Sequence, residues 1–324
     1  MIPAERERKS LIISAIIGAV LSIPIFSLPY LQFNLVEKFI LFAALVVVPL
    51  VVLLLSYDEK SNGQKRLYAV IRIFQLPAAY AAFMSVLYCK TWEASTSVSG
   101  AFSLVWLFFT LLLGLYGVSL IANRKGSVAE IAIGAGLIYF FVGGVWFVLY
   151  QYQVDLFHAS PATHGLSSLH FHLSSAIVPI FIGMLGRMMS KKSWYPWVVA
   201  IDIIGPILIA IGIMFSKPVE YIGVALFACN IAIYTTYLLA FLRRKGLSGL
   251  TRKSAVFFVI SSFAFYIIVV LSIFYPLLKK AYSLTIHDFI PIYGSLHAFG
   301  FVLCGLIGWI YMLHSIKKND GYKI

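Results

Sequence analysis

The stretch FILFAALVVVPLVVLLLSY, residues 39–57, contains nineteen residues, and none of them is charged. A helix that rises 1.5 Å per residue needs about 20 apolar residues to cross the hydrocarbon core of a bilayer. This stretch therefore predicts a transmembrane helix. Similar blocks recur along the whole chain and predict an all-α, polytopic transmembrane helical bundle of about ten spans.

The predicted spans account for nearly all of the apolar sequence. They lie near residues 10–29, 39–57, 68–88, 100–122, 128–150, 165–188, 194–215, 220–242, 254–276 and 291–313. The polar stretches between them are too short for a soluble domain, so we predict a single integral membrane domain over residues 1–324. The first span is longer than a signal-peptide core and has no small-residue cleavage site after it, which indicates a retained helix.

Composition and charge support the same fold class. The chain is 61% hydrophobic and 11% charged, with a net charge of +13, whereas soluble domains are about half apolar and a quarter charged. Nineteen Lys and Arg residues fall on the side of the N-terminus and five on the other side. Because basic residues collect in cytoplasmic loops, we predict a multi-pass protein of the cell (inner) membrane with both termini cytoplasmic, and no nucleic-acid partner.

The histidines are concentrated at the predicted outer side. Six of the seven lie at or beyond the outer ends of two spans, the sixth and the tenth: His158, His164, His170, His172, His287 and His297. His172 and His297 lie about 10 Å and 9 Å inside their outer boundaries, at 1.5 Å per residue. We therefore predict that these two spans are neighbours and that both imidazoles face one cavity.

Helical geometry separates the histidines of the sixth span. At 100° per residue, His170 and His172 are about 200° apart, so they cannot both face one small site unless the helix unwinds. Gly165 and Pro179 are possible breakers. His172 shares a stripe with His164 and lies closer to the depth of His297, so we predict that His172 matters more than His170.

Imidazoles at one depth are compatible with several kinds of chemistry. A metal site would use His164, His172 and His297 as ligands, with a transition metal such as Zn or a haem iron bound. A metal-free acid–base site would use His170, His172 and His297 as catalytic residues. The ordinary alternative is a set of interhelical hydrogen bonds. The sequence contains no HExxH, GxSxG, P-loop or CxxCH motif, and its three cysteines have no CxxC spacing.

A few other polar residues lie within or beside the spans. Asp202 and Asn230 are deeper than the histidines, and ionisable groups in a membrane are usually functional. The structural alternative for Asp202 is an ion pair with Arg187 near the inner side. His158 and His287 are further polar candidates at the outer side.

Two segments carry a resemblance to a known family. The first is HFHLSSAIVP at 170–179 with GMLGR at 183–187, and the second is YGSLHAFGF at 293–301 with GLIGW at 305–309. Both resemble the YndJ-like family of bacterial membrane proteins. The resemblance implies a many-helix membrane protein and no established reaction. Tyr293 stands where the family pattern has His, and His297 where it has Asn.

These observations favour a membrane enzyme or metal-binding protein at the outer leaflet. Its substrate would be amphipathic, such as a lipid, an isoprenoid or a quinone-like molecule, because the histidines lie at the boundary between headgroups and acyl chains. Membrane lipid and a small amphipathic ligand are thus the expected partners. The alternatives are a proton-coupled transporter that uses Asp202 and Asn230, and a haem-binding redox protein.

Overall fold

The computed structural model describes residues 3–58, 60–91, 96–123, 127–156, 159–189, 192–245, 252–282 and 286–320. This part of the chain is helical and contains no β-strand. Ten of its helices are long and apolar enough to cross a membrane. The all-α fold with ten spans is therefore confirmed, whereas the cytoplasmic location of both termini stays a prediction.

Seven of the spanning helices are continuous in the described residues. They are α1 (Pro3–Ser27), α3 (Asn62–Thr91), α4 (Thr96–Ala122), α5 (Val128–Gln151), α7 (Tyr195–Phe215), α8 (Lys217–Lys245) and α9 (Arg252–Tyr282). A short 3₁₀ turn, Pro29–Leu31, follows α1.

The other three spans each contain a π-helical segment. The span α2 consists of Leu35–Phe42, a π-helical segment at Ala43–Val47, and Val48–Leu55. The span α6 consists of Pro161–His170, a π-helical segment at Phe171–Ser175, and Ile177–Met188. The span α10 consists of Ile286–Ser295, a π-helical segment at Leu296–Leu303, and Cys304–Asp320. Such wide turns occur mostly as short insertions inside α-helices, frequently at functional sites.

Local sequence explains where α2 and α6 begin. Asn34 and Glu37 form a capping box, in which each side chain accepts a hydrogen bond from the other residue's backbone N–H. Ser160 caps α6 by accepting from the N–H of Thr163, and Pro161 occupies the first helical position. The apolar interiors keep their hydrogen bonds within the helix because lipid offers no partners.

The contact pattern divides the chain into two compact units, residues 1–227 (unit 1) and residues 228–324 (unit 2). In unit 1, α5 packs against both α4 and α6, and α2 packs against α1 and the start of α6. In unit 2, α9 packs along α10. The spans of α2 and α6 are the most enclosed: in the most apolar 18-residue stretch of each, 89% and 83% of the residues are buried. The single integral membrane domain stays a prediction.

Glycines allow α4 and α5 to touch through their backbones. A Cβ atom on Gly117 would lie 2.4 Å from the carbonyl oxygen of Gly134, and one on Gly134 would lie 2.6 Å from that of Gly117. Small residues are used in this way where helices approach closely in lipid.

Candidate functional site at the predicted outer side of unit 1

His172 is held by hydrogen bonds on both ring nitrogens. The indole Nε1 of Trp106 donates to His172 Nε2 over 3.0 Å, and His172 Nδ1 lies 2.8 Å from the carbonyl oxygen of Ser168. An indole N–H only donates and a carbonyl only accepts. His172 is therefore the Nδ1–H tautomer, and the Nε2 lone pair is already used. The ring is fully buried.

A glycine makes room for this arrangement. A Cβ atom on Gly143 would lie 2.7 Å from His172 Nδ1, so a larger residue there would displace the ring. The Ser168 hydroxyl donates to the carbonyl oxygen of Gly143 over 3.1 Å. Side chains of α6 thus bond to α5 and, through Trp106, to α4.

His170 points to a different neighbour. Its ring lies 6.1 Å from the ring of Phe227 in α8 and is half-buried, whereas His172 packs on Trp106 and Phe140. The Nε2 atom of His170 has no hydrogen-bond partner among the described residues. The π-helical segment does not bring His170 and His172 together at one site.

His164 is the least satisfied histidine that the structure describes. It is fully buried, and within the described ranges neither ring nitrogen has a hydrogen-bond partner. Its ring packs on Trp146 of α5 with 5.2 Å between centroids. The Val154 backbone and the Asp155 carboxylate are close enough to influence the ring electrostatically, but they do not meet hydrogen-bonding geometry.

A buried carboxylate lies beside the same end of α6. Glu37 of α2 is fully buried, and the hydroxyl of Tyr150 donates to its Oε1 over 2.7 Å. The side-chain amide of Asn34 donates to the Tyr150 hydroxyl over 3.2 Å. The Tyr150 ring packs on Gly165, since a Cβ atom there would lie 3.3 Å from it. Gly165 follows His164 directly, so α2, α5 and α6 meet at this point. We call His164, Glu37 and Tyr150 the outer cluster.

A second polar cluster lies at the other end of α6. Arg187 contacts Asp58 over 2.6 Å and Glu130 over 2.7 Å, and its Nη2 also donates to the second oxygen of each carboxylate. Of the two interpretations of Asp202, the ion pair with Arg187 is not formed, because Asp58 and Glu130 occupy the guanidinium. Asp202 is fully buried in α7, beside Tyr139, whose hydroxyl donates to the carbonyl of Ile203.

The remaining candidates belong to unit 2 or lie outside the described residues. His297 lies in the π-helical segment of α10, is 8% exposed, and its ring is nearly parallel to that of Tyr293, with 6.3 Å between centroids. Asn230 is buried in α8. His158 lies outside the described residues, and the same holds for the side chain of His287. The shared cavity of His172 and His297 stays a prediction.

The described side chains do not form a metal-binding cluster. No three His, Cys, Asp or Glu residues within the described ranges lie close enough together to hold a metal ion. His172 would have to release the Trp106 N–H before it could ligate zinc or a haem iron. These findings give the predicted metal site no support.

Sequence reasoning missed Glu37, Tyr150 and Trp106. Glu37 was placed just outside the second span, although the pattern Asn34-x-x-Glu37 at an apolar boundary is a helix-start signature. Tyr150 and Trp106 resemble many other aromatic residues of this chain, and their sequence positions carry no signal for these contacts.

Comparison with known proteins identifies the family. A family model described as YndJ-like protein matches residues 38–301. The uncharacterized membrane protein YndJ of Bacillus subtilis (strain 168) is 32% identical over 233 residues, which make up 71% of this chain and 40% of that relative's length. No solved structure matches. Because the family model covers most of the chain, this multi-pass membrane protein belongs to the YndJ-like family.

Proposed function

We propose that the outer cluster is the acid–base site of a membrane enzyme that acts on an amphipathic substrate. The observation that carries the proposal is His164, a fully buried imidazole whose ring nitrogens both lack a hydrogen-bond partner among the described residues. Leaving a buried polar group unsatisfied costs about 1–3 kcal/mol. A bound substrate that hydrogen-bonds the ring would recover this free energy.

The neighbours of His164 suit proton transfer to such a substrate. Imidazole exchanges protons near neutral pH, which makes it the commonest general acid–base group. The Tyr150 hydroxyl is held by Glu37 over 2.7 Å and supplies a polar contact for a headgroup. Trp146 forms an apolar wall beside the ring. We assign proton transfer to His164 and substrate positioning to Tyr150.

The depth of the outer cluster favours an amphipathic substrate. His164 follows the first residue of α6, Pro161, by three positions, which is about 4.5 Å along the helix. This level corresponds to the boundary between headgroups and acyl chains at the predicted outer side. A lipid, an isoprenoid or a quinone-like molecule would present its polar group there and keep its chain in the bilayer.

The other histidines take secondary roles in this proposal. His172 fixes the packing of α6 on α4 and α5 through its bond to Trp106. His170 would join the site only as a further proton carrier. Elemental analysis and a visible absorption spectrum of the purified protein test the zinc and haem versions of the site.

The proposal is tested by comparing membrane lipids in an expression host. Untargeted mass spectrometry would be applied to membranes that contain the wild-type protein, His164→Ala, or His314→Ala, a matched change at an exposed histidine. We expect a lipid product with the wild type and with His314→Ala. With His164→Ala its amount should fall by at least about 100-fold, the lower end of the usual range for a lost general base. Equal amounts of this product in the wild-type, His164→Ala and His314→Ala membranes would contradict the enzyme proposal. So would a lipid profile of the wild-type membranes that does not differ from that of the empty host.

A proton-coupled carrier is the second candidate, and one feature of α6 favours it. His164, Ser168, His172 and Ser175 are all fully buried and follow one another at intervals of three or four residues. Buried polar stripes of this kind mark ion pathways. Against a continuous path, His172 donates to a carbonyl and accepts from an indole, and neither group passes a proton on.

Flux measurements separate the carrier from the enzyme. Proteoliposomes with a pH-sensitive dye inside would be compared for the wild type and for Asp202→Asn, with Glu220→Gln as a control at the start of α8. Proton flux that disappears with Asp202→Asn alone supports the carrier. If vesicles with the wild-type protein conduct protons no faster than empty vesicles, the carrier proposal is contradicted.

A further inference from the structure

A narrow groove opens toward lipid between α1 and α3, and α2 forms its floor. Six of the apolar residues that line it are Ile17, Leu21, Leu45, Pro49, Leu76 and Ala79. Ile17 and Leu21 are each 48% exposed and Leu76 is 47% exposed. In a membrane, these side chains face acyl chains rather than water.

Two polar side chains of α3 lie along this groove. Gln75 lines it and is 2% exposed, yet its Oε1 atom has no hydrogen-bond partner in the described part of the chain. Arg72 lies three residues closer to the side where α1 begins, and its buried Nε atom likewise has no partner there. Residues at positions i, i+3, i+4 and i+7 share one helix face, so Arg72 lies on the same face as Gln75, Leu76 and Ala79.

An ion pair joins this face of α3 to α1. Nη2 of Arg72 lies 3.5 Å from Oε1 of Glu7 in α1, and the two side chains are 25% and 39% exposed. The distance is long for a charge-assisted hydrogen bond, which is normally 2.7–2.9 Å. The guanidinium therefore retains donors for another acceptor, one helical turn from Gln75 in the groove.

We propose that this groove binds one acyl chain of an anionic phospholipid whose phosphate lies on Arg72. Guanidinium groups bind phosphate oxygens through two parallel N–H donors. The three-residue step from Arg72 to Gln75 is about 4.5 Å along the helix, which places the amide near the ester groups that follow the phosphate. Rotation of the amide by 180° turns its NH₂ toward an ester carbonyl.

The sidedness of the chain fits an anionic lipid. Arg72 lies toward the side where nineteen of the Lys and Arg residues collect, the predicted cytoplasmic side. Anionic lipids give the cytoplasmic leaflet its negative surface potential, and basic pockets between helices on that side bind their headgroups. The carboxylate of Glu7 repels the phosphate, so its removal should tighten the binding of the anionic lipid.

Lipid binding to the full 324-residue chain tests the proposal. The purified protein would be titrated with dioleoylphosphatidylglycerol or dioleoylphosphatidylcholine, and one-to-one complexes would be counted by native mass spectrometry. We expect the phosphatidylglycerol complex to be about tenfold tighter, because the choline cation of phosphatidylcholine neutralises its phosphate and is repelled by Arg72. Arg72→Gln should remove this preference, whereas Arg66→Gln, a matched change at an exposed arginine of α3, should keep it.

Two further variants separate the parts of the site. Gln75→Leu should weaken the binding of both lipids by a similar factor, because both contain the ester groups. Glu7→Gln should tighten phosphatidylglycerol more than phosphatidylcholine, because the choline cation of the latter also loses an attractive carboxylate. If Arg72→Gln does not purify as a single species, Arg72→Lys replaces it and should lose part of the preference, because lysine keeps the charge but lacks the two parallel donors. Equal binding of the two lipids by the wild type, or equal losses with Arg66→Gln and Arg72→Gln, would overturn the proposal.

Discussion

Removal of Arg187 should destabilise unit 1 far more than removal of an ordinary surface arginine. The guanidinium joins Asp58 and Glu130 through four hydrogen bonds of 2.6, 2.7, 2.8 and 3.3 Å. The three side chains are 20%, 9% and 20% exposed, in the order Arg187, Asp58, Glu130. Arg187→Gln would leave two carboxylates facing each other without the charge that holds them.

The structure sets the expected size of this effect. Breaking a buried ion pair by removing one partner costs about 3–5 kcal/mol. At roughly 2 °C per kcal/mol for a long chain, the Tm of Arg187→Gln should fall by about 6–10 °C. The assay is thermal unfolding in detergent, followed by intrinsic fluorescence.

A compensating variant tests whether the loss comes from uncompensated charge. Adding Asp58→Asn and Glu130→Gln to Arg187→Gln removes the facing carboxylates, so at least about half of the lost stability should return. Arg66→Gln is the control, and it should shift the Tm by less than about 2 °C because Arg66 is exposed. A single variant Arg187→Gln as stable as this control would refute the reasoning, and so would a triple variant less stable than the single one.

Three other outcomes follow from the fold. Trp106→Phe removes the 3.0 Å donor to buried His172 and should cost about 1–3 kcal/mol in the same unfolding assay; an unchanged Tm would contradict that bond. Gly117→Ala places a methyl group 2.4 Å from the Gly134 carbonyl oxygen and should lower the free energy of unfolding by about 1–3 kcal/mol. In the control Gly63→Ala the methyl group meets open space, so the free energy of unfolding should stay within about 0.5 kcal/mol of the wild type. Reporter domains fused near each terminus should both show a cytoplasmic location, and an external location of either one would disprove the predicted topology.

The fold could be predicted from the sequence because lipid imposes a simple rule. Every backbone polar group inside the bilayer must be satisfied within its own helix, so apolar blocks of sufficient length translate directly into spans. The structure contains ten such helices in its described residues. The start of α2 was predicted at residue 39 rather than at Leu35, because Glu37 and Lys38 interrupt the apolar run.

The contacts of the site could not be predicted in the same way. Tyr150 is 113 positions from Glu37 in the chain, and Arg187 is 129 positions from Asp58. Hydropathy gives the depth of a residue in the membrane but not the helix that it faces. The acidic partner Glu37 lies in the first turn of α2 and Asp58 lies three residues beyond its end, where charged residues are ordinary. Nothing in the sequence therefore marks them as partners of distant side chains.

The π-helical segment of α6 explains why the two polar clusters lie on the same side of that helix. On a regular α-helix at 100° per residue, His164 and Arg187 would be about 140° apart, and their side chains would face different neighbours. The wide turn at Phe171–Ser175 acts as one inserted residue, which reduces the separation to about 40°. His164 accordingly contacts α5 through Trp146, and Arg187 contacts α5 through Glu130. A sequence-based helical projection has no means of placing such an insertion, and for this reason it could assign the depth of these residues but not their common direction.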